Sequence, residues 1–210
     1  MFAVGEAKVK EGVKAPQFDG FEAPLVLSST SCHLACRSTV VYVNEKEINY
    51  EMIEKGCSSN YKGKEIEVFL LKIIKKKEKD DKLHQHTMQL LFVYRPPLVS
   101  LDNLNSVIKD IHDNHLKNCA FLIIGDFNED IITNPDYNPL TAGAQDKIEF
   151  AMPKDEKTFV HQGEGSALID HIWASKRVND SYNHNARRKE NTPGGQSYHY
   201  IIAITLTRKG

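Results

Sequence analysis

Cys119-Ala120-Phe121-Leu122-Ile123-Ile124-Gly125-Asp126-Phe127-Asn128 is the stretch from which the rest of the chain is read. The unbroken apolar run 119–124 marks a strand buried on both faces. A buried strand that ends in Gly-Asp fixes a carboxylate at the rim of a sheet. Asn128, two residues on, brings an amide that can donate to an oxygen anion, and donors held where charge develops are the main lever of phosphoryl chemistry. The plainer alternative is that Asp126 and Asn128 only start a turn.

Upstream of that strand, Leu101, Leu104, Ile108, Ile111 and Leu116 recur near helical spacing behind Ser100, a good N-cap, and Asn118 can end the helix. Before it come two apolar runs, 65–74 and 87–94. The charged stretch between them reads as an exposed hairpin tip, and Pro96 and Pro97 stop the second run. Residues 2–6 and 38–44 read as further strands. Downstream, 158–161 and 167–174 flank Gly163-Glu164-Gly165 as a hairpin, 200–206 is a final β-branched strand, and the polar segment 175–197 reads as a long loop. Many strands with few helices predict an α+β fold of two packed, mainly antiparallel sheets flanked by helices. With no repeat and no linker, residues 1–210 are expected to form a single domain.

Composition excludes little. The chain is 40% hydrophobic and 26% charged, with a net charge of -1. No apolar run is long enough to span a membrane, and Met1-Phe2-Ala3-Val4 lacks a basic leader, so an intracellular protein of nucleus or cytoplasm is expected. The four cysteines, Cys32, Cys36, Cys57 and Cys119, make no CxxC pair and read as reduced thiols. A zinc site through Cys32, His33 and Cys36 lacks a second ligand pair. Lys75-Lys76-Lys77 and Lys79 are diluted by Glu78, Asp80 and Asp81, as on a solvated hairpin tip. The charge balance therefore neither demands nor excludes nucleic acid.

Two further segments carry chemistry. In Leu168-Ile169-Asp170-His171-Ile172-Trp173 a carboxylate stands inside an apolar strand, where its charge is costly unless paired. An Asp that orients an imidazole is a recurrent catalytic arrangement; the alternative is a hairpin-edge carboxylate in water. In a regular strand His171 faces away from Asp170, which makes Asp170 the functional member. His199, in Ser197-Tyr198-His199, closes a loop before the last strand. A general acid or base is held rigidly at such a place, although a lone histidine there is more often structural.

Together these segments resemble the late motifs of the endonuclease/exonuclease/phosphatase superfamily, the deoxyribonuclease I-like proteins. Those motifs are a Gly-Asp-Phe-Asn strand end, an Ile-Asp-His strand and a Ser-Asp-His before the last strand. Tyr94-Arg95-Pro96-Pro97 looks like a segment of the retrotransposon-type endonucleases of that family. Phe2-Ala3-Val4-Gly5-Glu6-Ala7 followed by Gly20-Phe21 is similar to the family segment that ends a strand in its metal-binding glutamate.

The resemblance implies metal-assisted hydrolysis of a phosphodiester, with DNA as the substrate. Glu6 would bind Mg2+, or Mn2+ in its place. Asp126 would orient or deprotonate the attacking water with Asn128 beside it. His199, held by Asp170, would contact the phosphate or move a proton, and Tyr94 would contact the phosphate. Two departures stand against full activity. The chain is read as starting after the family's first strand, which carries an Asn near the metal, and Tyr198 replaces the Asp of Ser-Asp-His. The alternatives are an inactive relative that keeps the fold as a binding or structural domain, and a phosphatase for small phosphorylated substrates.

Overall fold

The computed structural model describes residues 2–4, 17, 19, 25–28, 38–42, 48–61, 64–75, 87–140, 147–161, 164–189, 199 and 201–209. Its strands are β1 (Phe2–Val4), β2 (Leu25–Ser28), β3 (Ser38–Tyr42), β4 (Ile48–Tyr61), β5 (Lys64–Lys75), β6 (Thr87–Tyr94), β7 (Phe121–Asp126), β8 (Ile148–Phe150), β9 (Phe159–His161), β10 (Glu164–Ala167), β11 (Asp170–Ser175), β12 (Tyr182–Lys189) and β13 (Ile201–Arg208). Two helices, α1 (Leu101–Ile111) and α2 (Lys176–Ser181), stand between them.

The centre is a six-stranded mixed sheet in the order β4-β5-β6-β7-β11-β8. Its pairs are antiparallel except β6–β7, which is parallel. A parallel neighbour needs a crossover of a dozen or more residues, and α1 with its flanking turns provides it. Ser100 caps α1, its hydroxyl accepting from Asn103 N at 3.2 Å. Leu104, Val107, Ile108 and Ile111 form its buried stripe. They share one core cluster with Leu91, Val93, Phe121 and Ile123 of the sheet. A π-helical turn, His112–Leu116, buries Leu116 and follows α1; Asn118 then takes φ +66, a value asparagine tolerates better than most residues.

The opposite face of the sheet meets a second, two-stranded antiparallel sheet, β12–β13. Leu122 and Ala174 of the large sheet cluster there with Val178, Ile204 and Leu206. β1, β3 and β2 form a further antiparallel sheet, and β9 and β10 a small hairpin. The two-sheet α+β architecture expected from the sequence is the one observed.

Two local readings are corrected, and one long strand is new. The segment 175–197 is not one long loop, since it contains α2 and β12. Ser175 caps α2, and β12 pairs along its whole length with the apolar β13. The run 167–174 is not one strand. Leu168 N donates to Asp130, and Ile169 N and Asp170 N both donate to the Thr158 hydroxyl, so β10 and β11 separate into different sheets. The polar 48–61 forms β4, an edge strand with a bulge between Met52 and Glu54. The hairpin tip 76–86 lies outside the described residues, though β5 and β6 pair as that hairpin requires.

Among the described residues, Gly125 is the position where the backbone leaves no choice. A Cβ there would lie 1.8 Å from the Val93 carbonyl oxygen, and φ is +156. Glycine lets β6 and β7 stay in register up to the residue that follows, Asp126.

Candidate active site

Strand register builds the site. Across the sheet, Glu67 stands opposite Tyr94, Tyr94 opposite Asp126, and Asp126 opposite Asp170. Side chains at one register position project to the same face of a sheet. The four therefore form a transverse row over β5, β6, β7 and β11. The row lies where β6 and β7 end and β11 begins, on the face that carries Leu122 and Ala174.

His199 meets this row although it lies 29 residues beyond Asp170 in sequence. Its Nδ1 is 3.0 Å from Asp170 Oδ2 and 3.3 Å from Oδ1, and its Nε2 is 4.0 Å from Asp126 Oδ2. An isolated antiparallel bridge to Phe159 fixes its backbone, and the Phe159 ring lies edge-on at 5.2 Å. The His199 side chain is 28% exposed, so the imidazole is held from behind and open in front. Asp126, Asp170 and His199 each offer one ligand atom, and these atoms all lie within 4.8 Å of one another.

Asp126 is also held from its own loop. Asn128 takes φ +47, a left-handed turn, and its backbone N–H donates to Asp126 Oδ1 at 2.9 Å. Its side-chain nitrogen lies 3.2 Å from Asp126 Oδ2 and 2.8 Å from the Arg95 carbonyl. Both amide hydrogens are thus directed at protein acceptors, which makes Asn128 a brace for Asp126 more than a free donor for a substrate anion. Tyr94 is only 2% exposed. Glu6 and Tyr198 lie outside the described residues.

The sequence reading passed over three contributors. Glu67, 2% exposed inside an apolar strand, carries the same signal that singled out Asp170. Arg95 is buried beneath the turn of Asn128, and burial pushes its guanidinium down from its ordinary value while Glu129 opposes that shift. Thr158, which accepts from Asp170 N at 3.0 Å, has no sequence signal.

His171 faces the other side, as strand alternation requires. It is fully buried, stacks on Phe127 at 4.6 Å between ring centroids, and directs Nε2 at the Glu129 and Leu168 carbonyls. Burial pushes its pKa down to about 4, with the two carbonyl contacts opposing the shift. The imidazole is therefore neutral in the folded protein and takes up a proton more readily on unfolding. Its contribution is complete above about pH 6.5 and is lost as pH falls toward 4, a loss of about 3 kcal/mol at most. Urea unfolding at pH 7.5 and 4.5 should show this difference in the wild type and a clearly smaller one in His171→Gln; equal pH dependence in the two would refute it.

A sheet rim with clustered acids and a histidine, covered on one face by helix and on the other by a second sheet, is the architecture of the deoxyribonuclease I-like fold. The chain has the fold of the endonuclease/exonuclease/phosphatase proteins. An endonuclease/exonuclease/phosphatase family protein from Bacteroides thetaiotaomicron superposes with a TM-score of 0.59 at 12% identity, over 89% of this chain and 75% of that one. A 3′ phosphatase from Neisseria, solved with a product DNA hairpin, superposes with a TM-score of 0.58 at 11% identity, over 99% and 88%. The endonuclease domain of TRAS1, a telomere-specific non-LTR retrotransposon, gives a TM-score of 0.53 at 13% identity, over 90% and 81%. No protein-family profile and no curated protein sequence matches the chain. No described helix is long and apolar enough to cross a membrane.

Proposed function

We propose that the chain is a metal-assisted phosphodiester hydrolase acting on DNA, an endonuclease domain of mobile-element type within residues 1–210. The observation that carries this reading is the meeting of Asp126, Asp170 and His199 on one face of the sheet rim. The Tyr94-Arg95-Pro96-Pro97 segment, and the DNA-processing names among the fold neighbours, favour DNA over a small phosphate.

Two carboxylates facing each other across adjacent strands are like charges that a cation would neutralise. Hard oxygen donors suit Mg2+, and the nearby imidazole is compatible with Mn2+. Asp126 and Asp170, with Glu6, would hold the ion, which supplies charge stabilisation at the phosphate. Asp126, its oxygens fixed by Asn128, would orient the attacking water. Asp170 would accept from His199 Nδ1–H, leaving Nε2, 4.0 Å from Asp126 Oδ2, to take the water's proton and pass it to the leaving oxygen.

Tyr198 stands where the resemblance calls for an aspartate, which removes one carboxylate and predicts weak metal binding and slow turnover. The test is cleavage of supercoiled plasmid with Mg2+, Mn2+ or chelator, run beside hydrolysis of p-nitrophenyl phosphate. Slow nicking that requires the metal is expected, and Tyr198→Asp should lower the half-saturating Mg2+ concentration on the order of tenfold. Hydrolysis of the small phosphate alone would favour the phosphatase reading. No metal response from either protein would favour an inactive relative that keeps the fold for binding.

A further inference from the structure

We propose that Arg95 is a positioning residue of this site, whose buried guanidinium sets the left-handed turn that aims Asn128 at Asp126. The inference rests on the hydrolase reading for its kinetic consequence and on geometry alone for its structural one. Arg95 leaves β6 directly after Tyr94 and is 5% exposed, so it does not reach a substrate. Its Nε donates to the Phe127 carbonyl at 2.5 Å, one terminal nitrogen donates to the Asn128 carbonyl at 2.6 Å, and the other donates to the Val99 carbonyl. Glu129 lies 3.8 Å away and offsets the buried charge. The backbone closes the same junction in the other direction, with Arg95 N donating to the Asp126 carbonyl at 2.9 Å and the Asn128 side chain donating to the Arg95 carbonyl.

Three carbonyls from two segments therefore converge on one planar fork. Asparagine tolerates a φ of +47 better than most residues but is not confined to it, so its surroundings impose the conformation it takes. Here the imposition is the guanidinium, which draws the carbonyls of Phe127 and Asn128 to one side and leaves the Asn128 N–H pointing at Asp126. The Val99 contact ties the same fork to the Pro96–Ser100 turn that starts α1. Tyr-Arg-Pro-Pro works as one device: a buried ring, a carbonyl clamp and a rigid turn. Lysine cannot replace the clamp, because an ammonium is a point donor and cannot span three carbonyls in a plane.

The test uses the full chain with Arg95→Lys and Arg95→Ala, read by hydrogen exchange and by kinetics. In Arg95→Lys the Asn128 amide should lose about tenfold to a hundredfold of its protection, while Leu122 and Ile123 in β7 keep theirs. In the cleavage assay kcat should fall by about the same factor at unchanged KM, and millimolar guanidinium should partly restore Arg95→Ala. Unchanged protection at Asn128 would overturn the proposal. So would equal loss throughout β7, or failure of both variants to fold, since Arg95 would then serve overall stability only. A wild-type chain that cleaves nothing would sink the hydrolase reading, while exchange at Asn128 would still decide the role of Arg95.

Discussion

Asp126→Ala is expected to lower metal-dependent cleavage by about a thousandfold or more while leaving the folded protein within about 1–2 kcal/mol of wild-type stability. The two halves of that expectation have different sources. Asp126 is an inner member of the row, beside Tyr94 on one strand and Asp170 on the other, with His199 Nε2 4.0 Å from its Oδ2. On the proposed reading a group so placed would touch both the water and the ion, so its loss would remove two interactions made in the transition state. For stability, the substitution deprives the Asn128 amide of its acceptor, which costs about 1–3 kcal/mol. It also relieves the repulsion between carboxylates directly opposite each other on adjacent strands, which offsets part of that cost. Plasmid nicking rates at saturating Mn2+, measured with urea midpoints on the same preparations, check both halves. Retention of more than about a tenth of the activity would remove Asp126 from the chemistry. A large drop in the urea midpoint would show that its role is architectural.

The parts of the fold that were legible in the sequence are those where burial leaves a pattern. Strand β6 could be read from its apolar run and the prolines that stop it, and α1 from its stripe and its serine cap. Four strands, β2, β4, β8 and β12, are not legible in the sequence, and the two long ones, β4 and β12, lack such a pattern for different reasons. β4 is an edge strand of polar residues whose pairing with the apolar β5 supplies the order. β12 turns Tyr182, His184, Ala186 and Arg188 toward the core side, and Ala186 alone of these is both buried and small, so the alternation is invisible until β13 lies beside it. The break between β10 and β11 was hidden because Leu168 and Ile169 are as apolar as the strands they separate. Only the contacts to Thr158 and Asp130 reveal it.

The site divides along the same line. Asp126, Asp170 and His199 were legible because each is polar where the chain around it is apolar, at a strand end, inside a strand or just before one. Their distances were not legible, since strand order decides which ends become neighbours. Arg95 was quoted only as part of a motif, because its work is done on carbonyls 4, 32 and 33 residues away, and carbonyls leave no trace in a sequence. The contacts of the Asn128 side chain with Asp126 and the Arg95 carbonyl were likewise not legible.

Asp170→Asn is expected to reduce turnover by about a thousandfold to ten-thousandfold with substrate binding and fold retained. On the proposed reading the carboxylate, besides helping to hold the ion, does two things that an amide of the same shape cannot. It accepts a proton-bearing Nδ1 from His199 at 3.0 Å, which fixes the tautomer with the lone pair on Nε2, and its negative charge stabilises the imidazolium that forms when Nε2 takes a proton. An asparagine can turn its NH2 toward Nδ1 and select the opposite tautomer, with the hydrogen on Nε2 and no acceptor where the reaction needs one. The backbone should not move, because Asp170 N remains bonded to the Thr158 hydroxyl and its strand remains in register with β7. Nitrogen NMR of His199 distinguishes the two tautomers directly, and the same samples give kcat and KM. A changed tautomer with a collapsed kcat is the expected pair of results. If the tautomer changes and kcat does not, His199 acts only as a hydrogen-bond donor or charge near the phosphate. If kcat collapses while the tautomer is unchanged, the loss comes through the ion that Asp170 would help hold, and the imidazole is a bystander to it.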